Sequence, residues 1–429
     1  MSISRRNLLK AATAAAATFN IVPRHVLGGN GYTPPSEVLT RAIIGSGGMA
    51  QGHMRYKGSR VLAICDVDKK QLARGVKTCA SQKLKVDTYH DFREMVARDD
   101  IDIVSVVTPP HWHALHAIAA AEAGKDVWCE KPMTRTIGEG QKVIESCKRN
   151  GTIFRINTWF RLGSTFYGSG VTAHDIKKVV RSGILGENLK IVIGGHQGFN
   201  WKINMWSGKV DLPTVPVPPE LDYNFWLGPA PEKPYHPHRV HQSFRGYWDY
   251  DGGGLGDMGM HYIDPVQYYL DKEFTCPVKV VPITEPQHHD AVRGWKRLTF
   301  TYADGTELIL DGDNSLKNIP YIQGSKASIN QGFQSPEFPR LREMVKTMPE
   351  LEHQNADFHE CVRTRQKFAL NEVNGHRSTT ILNMGNIALQ LNRTLHFDPV
   401  KEVFINDDEA NRMINQPMRG PWNLDGGIE

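Results

Sequence analysis

Apolar positions between residues 39 and 157 alternate between two rhythms. Short β-branched runs at 39–44, 60–65, 103–107, 126–129 and 152–157 predict strands, and stretches with apolar residues three and four apart at 91–98, 113–122 and 137–149 predict helices. Strand-helix alternation of this kind predicts a doubly wound parallel sheet.

After residue 161 the rhythm changes. Strand patterns recur at 189–194, 279–283, 296–302 and 306–310, and the last two are joined by Ala303-Asp304-Gly305. A large, open, mostly antiparallel sheet is the expectation, so the fold class is α/β with two unlike domains. A long loop, 196–250, carries Trp201, Trp206, Trp226 and Trp248, aromatic faces of the kind that stack on sugar rings. A helical pattern at 376–393 is expected to pack back on the first domain, with the tail to residue 429 as an extended arm. The expected division is a leading segment at 1–33, a first domain at 34–157, a second domain at 158–375, and a C-terminal helix and arm at 376–429.

Composition agrees with two ordinary cores: 429 residues, 40% hydrophobic and 23% charged. The net charge of +5 does not point to nucleic acid, because Arg5, Arg6, Lys10 and Arg24 lie in a stretch without acids and leave the remainder at +1. Ser4-Arg5-Arg6-Asn7-Leu8-Leu9-Lys10, followed by a short apolar run, resembles the twin-arginine export consensus without its Phe. It implies the twin-arginine machinery as a partner and a periplasmic location. With no clean small-residue cleavage site, both cutting near residue 30 and retention as an anchor stay open. The six cysteines show no C-x-x-C spacing and read as buried free thiols.

The first strand runs into Gly45-Ser46-Gly47-Gly48-Met49-Ala50, a G-x-G-x-x-A loop. Its first glycine suits a tight turn, its second a close approach to a pyrophosphate, and Ala50 close helix packing. Asp66, 21 residues after Gly45 at the end of the next strand, would bind ribose hydroxyls and repel a 2′-phosphate, which favours NAD over NADP. Two strand-end loops should line the same crevice: Thr108-Pro109-Pro110-His111-Trp112-His113 and Cys129-Glu130-Lys131-Pro132. The Lys131 cation could steady an alkoxide. In Asp251–Ile263, "DGGGLGDMGMHYI", the glycines suit a chain passing close to a ligand, and Asp257 and His261 share a helix face, where a carboxylate could orient a histidine base. His236, His238 and His241 have prolines breaking their spacing and no nearby acid, so no metal is assigned to them; His288-His289-Asp290 reads as a solvated loop.

Taken together, the glycine loop, Glu130-Lys131-Pro132 and the Asp257-x-x-x-His261 helix resemble the Gfo/Idh/MocA family. Asn224-Phe225-Trp226-Leu227-Gly228-Pro229-Ala230-Pro231 and Phe397-Asp398-Pro399 through Asn406-Asp407-Asp408-Glu409-Ala410 resemble its exported bacterial branch. The resemblance implies catalytic roles for Lys131, Asp257 and His261 and places Arg161 near cofactor and substrate, with Trp201 and its neighbours holding the sugar ring. It also implies a homo-oligomer. Free NADH cannot easily be reoxidised outside the cytoplasm, so an exported member should keep its NAD(H) tightly bound. The expected activity is oxidation of a secondary hydroxyl, commonly at C3, of a sugar or glycoside. The alternatives are an NAD-dependent glycoside hydrolase working by oxidation, elimination, hydration and reduction, and a non-catalytic sugar-binding protein.

Overall fold

A computed structural model describes residues 38–162, 165–166 and 169–425; the expected export segment lies outside them. The first six strands are β1 (Thr40–Ile44), β2 (Arg60–Cys65), β3 (Asp87–Tyr89), β4 (Ile103–Val106), β5 (Asp126–Cys129) and β6 (Phe154–Ile156). They form one parallel sheet in the order β3-β2-β1-β4-β5-β6. The order reverses direction at β1, which leaves a crevice at the carboxyl ends of β1 and β4, where open α/β sheets bind ligands. Helices His113–Glu122 and Ile137–Asn150 are among those that wind around it. Thr136 and Glu139 form a capping box on the second of these, and Gly151 ends it with φ 65°.

The remaining strands are β7 (Lys190–Gly194), β8 (Lys279–Ile283), β9 (Arg297–Thr301), β10 (Glu307–Asp311), β11 (Ile322–Gln323), β12 (Ser328–Ile329), β13 (Leu395–Asp398) and β14 (Val403–Phe404). They make an eight-stranded sheet, β12-β11-β7-β10-β9-β8-β13-β14, antiparallel except where β10 runs parallel to β7. Leu298, Phe300, Leu308 and Leu310 point from this sheet into one core with Leu255, Met258 and Val266 of the helix Gly253–Tyr269 and Leu382, Met384 and Ala388 of the helix Glu372–Leu391. Both helices are therefore clamped between sheet and first domain, and every residue of Gly253–Tyr269 is buried. Helix Glu372–Leu391 also packs on helix Ile137–Asn150. All six cysteines are free and buried.

The glycines of the Gly253–Tyr269 stretch serve protein packing, which corrects their reading as a ligand approach. A Cβ on Gly254 would lie 2.3 Å from the Trp201 carbonyl oxygen, and one on Gly256 would lie 1.9 Å from Asp251 Oδ1.

Candidate active site

The glycine loop closes the end of β1 with Gly45 at φ +87°, where an added Cβ would meet the Val107 carbonyl oxygen at 2.7 Å. Around Gly47 and Gly48 there is open space where a side chain would begin. Asp66 Oδ2 accepts hydrogen bonds from Ser46 N (2.7 Å) and Ser46 Oγ (2.9 Å), and its Oδ1 accepts from Asp68 N (2.9 Å). A carboxylate oxygen can accept two bonds, so Oδ1 keeps capacity for a ribose hydroxyl. Burial pushes the Asp66 carboxyl up, and the Ser46 and Asp68 hydrogen bonds pull against that. The open cradle and the spare acceptor fit NAD, with residues 45–50 under the pyrophosphate. Exposed Met49 and buried Ala50 complete that turn into the helix Ala50–Arg55.

The two strand-end loops are locked to each other. His113, fully buried, places Nδ1 2.7 Å from the Pro132 carbonyl oxygen and Nε2 2.8 Å from that of Thr108. Burial lowers its pKa, so the ring is largely neutral and has one proton for two carbonyls. Thr108 Oγ1 also meets His116 Nδ1 at 3.2 Å, and Pro109 leads into the short turn Pro110–Trp112. Glu130 is buried too; its Oε1 takes His53 Nε2 and Asn157 Nδ2, both at 2.8 Å. Burial alone would raise the Glu130 carboxyl, yet those two bonds and the Lys131 charge hold it at about 2. Thr108, His113 and Glu130 thus position the Lys131 turn from behind.

Lys131 reaches across to the helix Gly253–Tyr269. Its Nζ donates to Asp257 Oδ1 (2.9 Å) and to the Asp257 carbonyl oxygen (2.5 Å), which uses two of three ammonium protons. Asp257 also accepts from Trp206 Nε1 (2.7 Å), Arg245 Nε (3.0 Å) and Lys202 Nζ (3.4 Å). Burial opposes ionisation of this carboxyl, but the charges of Lys131 and Arg245 overwhelm it and keep the group far below the ordinary carboxylate range.

The expected Asp257–His261 hydrogen bond is absent, because all of these donors occupy Asp257. Instead, the Trp159 ring stacks on the His261 ring at 4.1 Å and 16°. His261 is 2% exposed, and its Nδ1 has no hydrogen-bond partner among the described residues. Burial, followed by the Lys131 charge, drives its pKa well below 6.5, so the imidazole is neutral and able to take a proton.

Two expected substrate residues lie elsewhere. Arg161 is buried in an ion-pair cluster, with Nη1 3.1 Å from Asp264 Oδ1, Nη2 on Glu273, and the guanidinium over the Tyr268 ring. Those partners engage both of its terminal nitrogens and make it an interdomain tie. Trp201 is 3% exposed; its Nε1 donates to the Ile193 carbonyl oxygen, and its ring packs on Tyr262 and Trp295. It belongs to the core. Trp159, Lys202, Trp206 and Arg245 take the places at the site. Only Trp206 carried a sequence signal, as one of the loop tryptophans. Of the loop histidines, His238 Nδ1 bonds the Tyr247 hydroxyl and His241 pairs with Asp68.

Two family models match this chain: an oxidoreductase-family, NAD-binding Rossmann fold over residues 39–158, and an oxidoreductase-family C-terminal α/β domain over residues 169–424. The chain belongs to the Gfo/Idh/MocA family. Its first domain is therefore NAD-binding, and the fit at Gly45–Ala50 and Asp66 is the local form of that property. A "Glycosyl hydrolase family 109 protein" of Shewanella baltica is 35% identical over 172 residues, which span 34% of this chain and 38% of that protein. Among solved structures, the WlbA dehydrogenase from Bordetella pertussis with NADH and UDP-GlcNAcA has a TM-score of 0.56 at 15% identity, covering 84% of this chain and 99% of that one. The myo-inositol 2-dehydrogenase from Lactobacillus plantarum has a TM-score of 0.52 at 15% identity, covering 84% and 100%. Both structures share the fold.

Proposed function

We propose that this Gfo/Idh/MocA oxidoreductase removes two electrons from a secondary hydroxyl of a sugar or glycoside, at C3, giving a keto-sugar. The observation that carries the reading is Lys131 Nζ seated on Asp257, with one proton to spare, beside a helix that presents neutral His261. His261 takes the hydroxyl proton at its ring edge, since Trp159 covers a face. Lys131 donates its free proton in a hydrogen bond to the developing alkoxide, and Asp257, held by Arg245, Lys202 and Trp206, fixes where that ammonium points. Bound NAD supplies the acceptor for the hydride that leaves the carbinol carbon. Positioning by the locked loops provides much of the rate.

Export through the twin-arginine route with NAD(H) aboard, into the periplasm and as a homo-oligomer, completes this proposal. It rests on the Ser4–Lys10 motif and on the need to regenerate a cofactor that is not exchanged. The similarity to the family 109 protein favours one further reading, net glycoside hydrolysis after the same first oxidation.

One experiment separates them. Protein purified without added nucleotide is denatured to assay released NAD(H), and a parallel sample is incubated with nitrophenyl glycosides. Bound nucleotide with a keto-glycoside and no nitrophenol is expected. Nitrophenol released with unoxidised sugar replaces the dehydrogenase by the hydrolase, and the absence of both nucleotide and turnover rejects both.

A further inference from the structure

A cavity of about 260 Å³ opens between residues 132–136, residues 248–252, the helix Glu372–Leu391 and residues 412–417, with Pro110 and His289 completing its lining. Pro132 and Thr134 line it, whereas Lys131, Asp257 and His261 do not. Its wall begins one residue past Lys131 but excludes the three side chains of the reacting centre. Its walls are built: Arg135 donates through Nη1 to the Trp248 carbonyl oxygen, and its backbone N–H donates to Glu139, so the first two pieces are tied together.

The lining holds polar groups with nothing to bond. Asn383 is 3% exposed, and its Nδ2 has no partner among the described residues. One turn along the same helix, Oδ1 of the half-buried Asn386 is shielded from solvent and likewise has none. A buried polar group without a hydrogen bond is costly to leave so, and a donor and an acceptor left open on one wall mark a place where a ligand's hydroxyls belong. Arg135 and Arg412 are balanced by Asp249 and Asp251, which leaves no net charge to attract an ion. Trp248 and Leu382 add apolar surface beside the amides. The volume is below the about 300–1,000 Å³ of sites for drug-sized ligands, so the space suits one ring rather than a nucleotide.

We propose that this cavity is a second ligand site, which holds a single uncharged polyhydroxylated ring hydrogen-bonded to Asn383 and Asn386. It does not depend on the reaction proposed above, because its occupant is not required to react.

The test uses the full, NAD-loaded protein. D-glucose, D-galactose, D-mannose, N-acetyl-D-glucosamine and myo-inositol serve singly as probes, in calorimetric titrations and in crystal soaks. At least one probe is expected to show ring density against Asn383 and Asn386, and Asn386→Leu is expected to remove one bound probe molecule per chain while sugar oxidation persists. Gln390→Leu, at the half-buried end of the same wall, provides a second variant should the first fail to fold. Water alone in the cavity with every probe, or unchanged stoichiometry in the folded variants, overturns the proposal. A chain that oxidises no sugar would still show the loss of one molecule, so failure of the catalytic reading is read separately.

Discussion

At the scale of single residues, the site turns on who partners Asp257. An aspartate and a histidine four apart on a helix can face the same way, and that much is visible in residues 257 and 261. Which of them touches the other is decided by Lys131, Lys202, Trp206 and Arg245, distant in sequence, whose donors all converge on the carboxylate. His261 is consequently oriented by a ring face, that of Trp159, and not by a charge. Its pKa lies well below 6.5, through burial first and the Lys131 charge second, so the proton-accepting form persists as pH falls past that value. The kcat/KM profile for sugar oxidation is therefore expected to stay flat through pH 6.5 on its acid side. An acid limb centred there would show an ordinary histidine and refute the lowering of its pKa by burial. His261→Ala should lower kcat by about 10²–10⁴-fold, the usual contribution of a positioned acid or base, while NAD content is unchanged.

At the scale of elements, the helix Gly253–Tyr269 shows how packing reverses a local preference. Replacing a helical glycine by alanine ordinarily stabilises by about 1 kcal/mol. At Gly256 the new methyl would fall 1.9 Å from Asp251 Oδ1, on a carboxylate whose burial already pushes it up to about 6. Gly256→Ala is accordingly expected to destabilise by about 1–3 kcal/mol, read as a lower denaturation midpoint. An unchanged or raised midpoint would mean that the contact yields freely. Strands and helices whose apolar residues repeat over several turns were legible: β2, β5, β8 and the helix His113–Glu122 lie where their patterns placed them. β3 was not, because its three residues are largely exposed and carry no apolar run. β11, β12 and β14 are two residues each, too short for any period, and exist because a neighbouring strand offers them hydrogen bonds.

At the scale of the molecule, the two domains are joined by buried polar ties. Arg161, just after β6, pairs with Asp264 and Glu273 and hydrogen-bonds the Ala369 carbonyl oxygen. Burial raises the Asp264 carboxyl to about 6 against the pull of the Arg161 charge. A carboxyl raised in the fold favours folding most in its neutral form, and that contribution is lost as pH climbs through about 6. Arg161→Met therefore leaves an unpaired buried carboxylate at neutral pH and should destabilise by about 3–5 kcal/mol, less so below pH 6. Thermal unfolding followed across that range checks it, and a loss independent of pH would place the effect in packing alone. Since Arg161 touches neither the glycine loop nor Lys131, NAD content of the folded variant should remain normal.

By itself, the sequence determined the two-domain α/β order, the glycine loop with its answering Asp66, and the turn that carries Lys131, because each depends on residues close in the chain. Tertiary structure alone decided that Asp257 serves the cations around it, that Trp159 covers His261, and that Arg161 and Trp201 are spent in the interior. The physical reason is that hydrogen bonds and ion pairs at this site join residues tens to more than a hundred positions apart, and local patterns carry no information on which of several available donors arrives first.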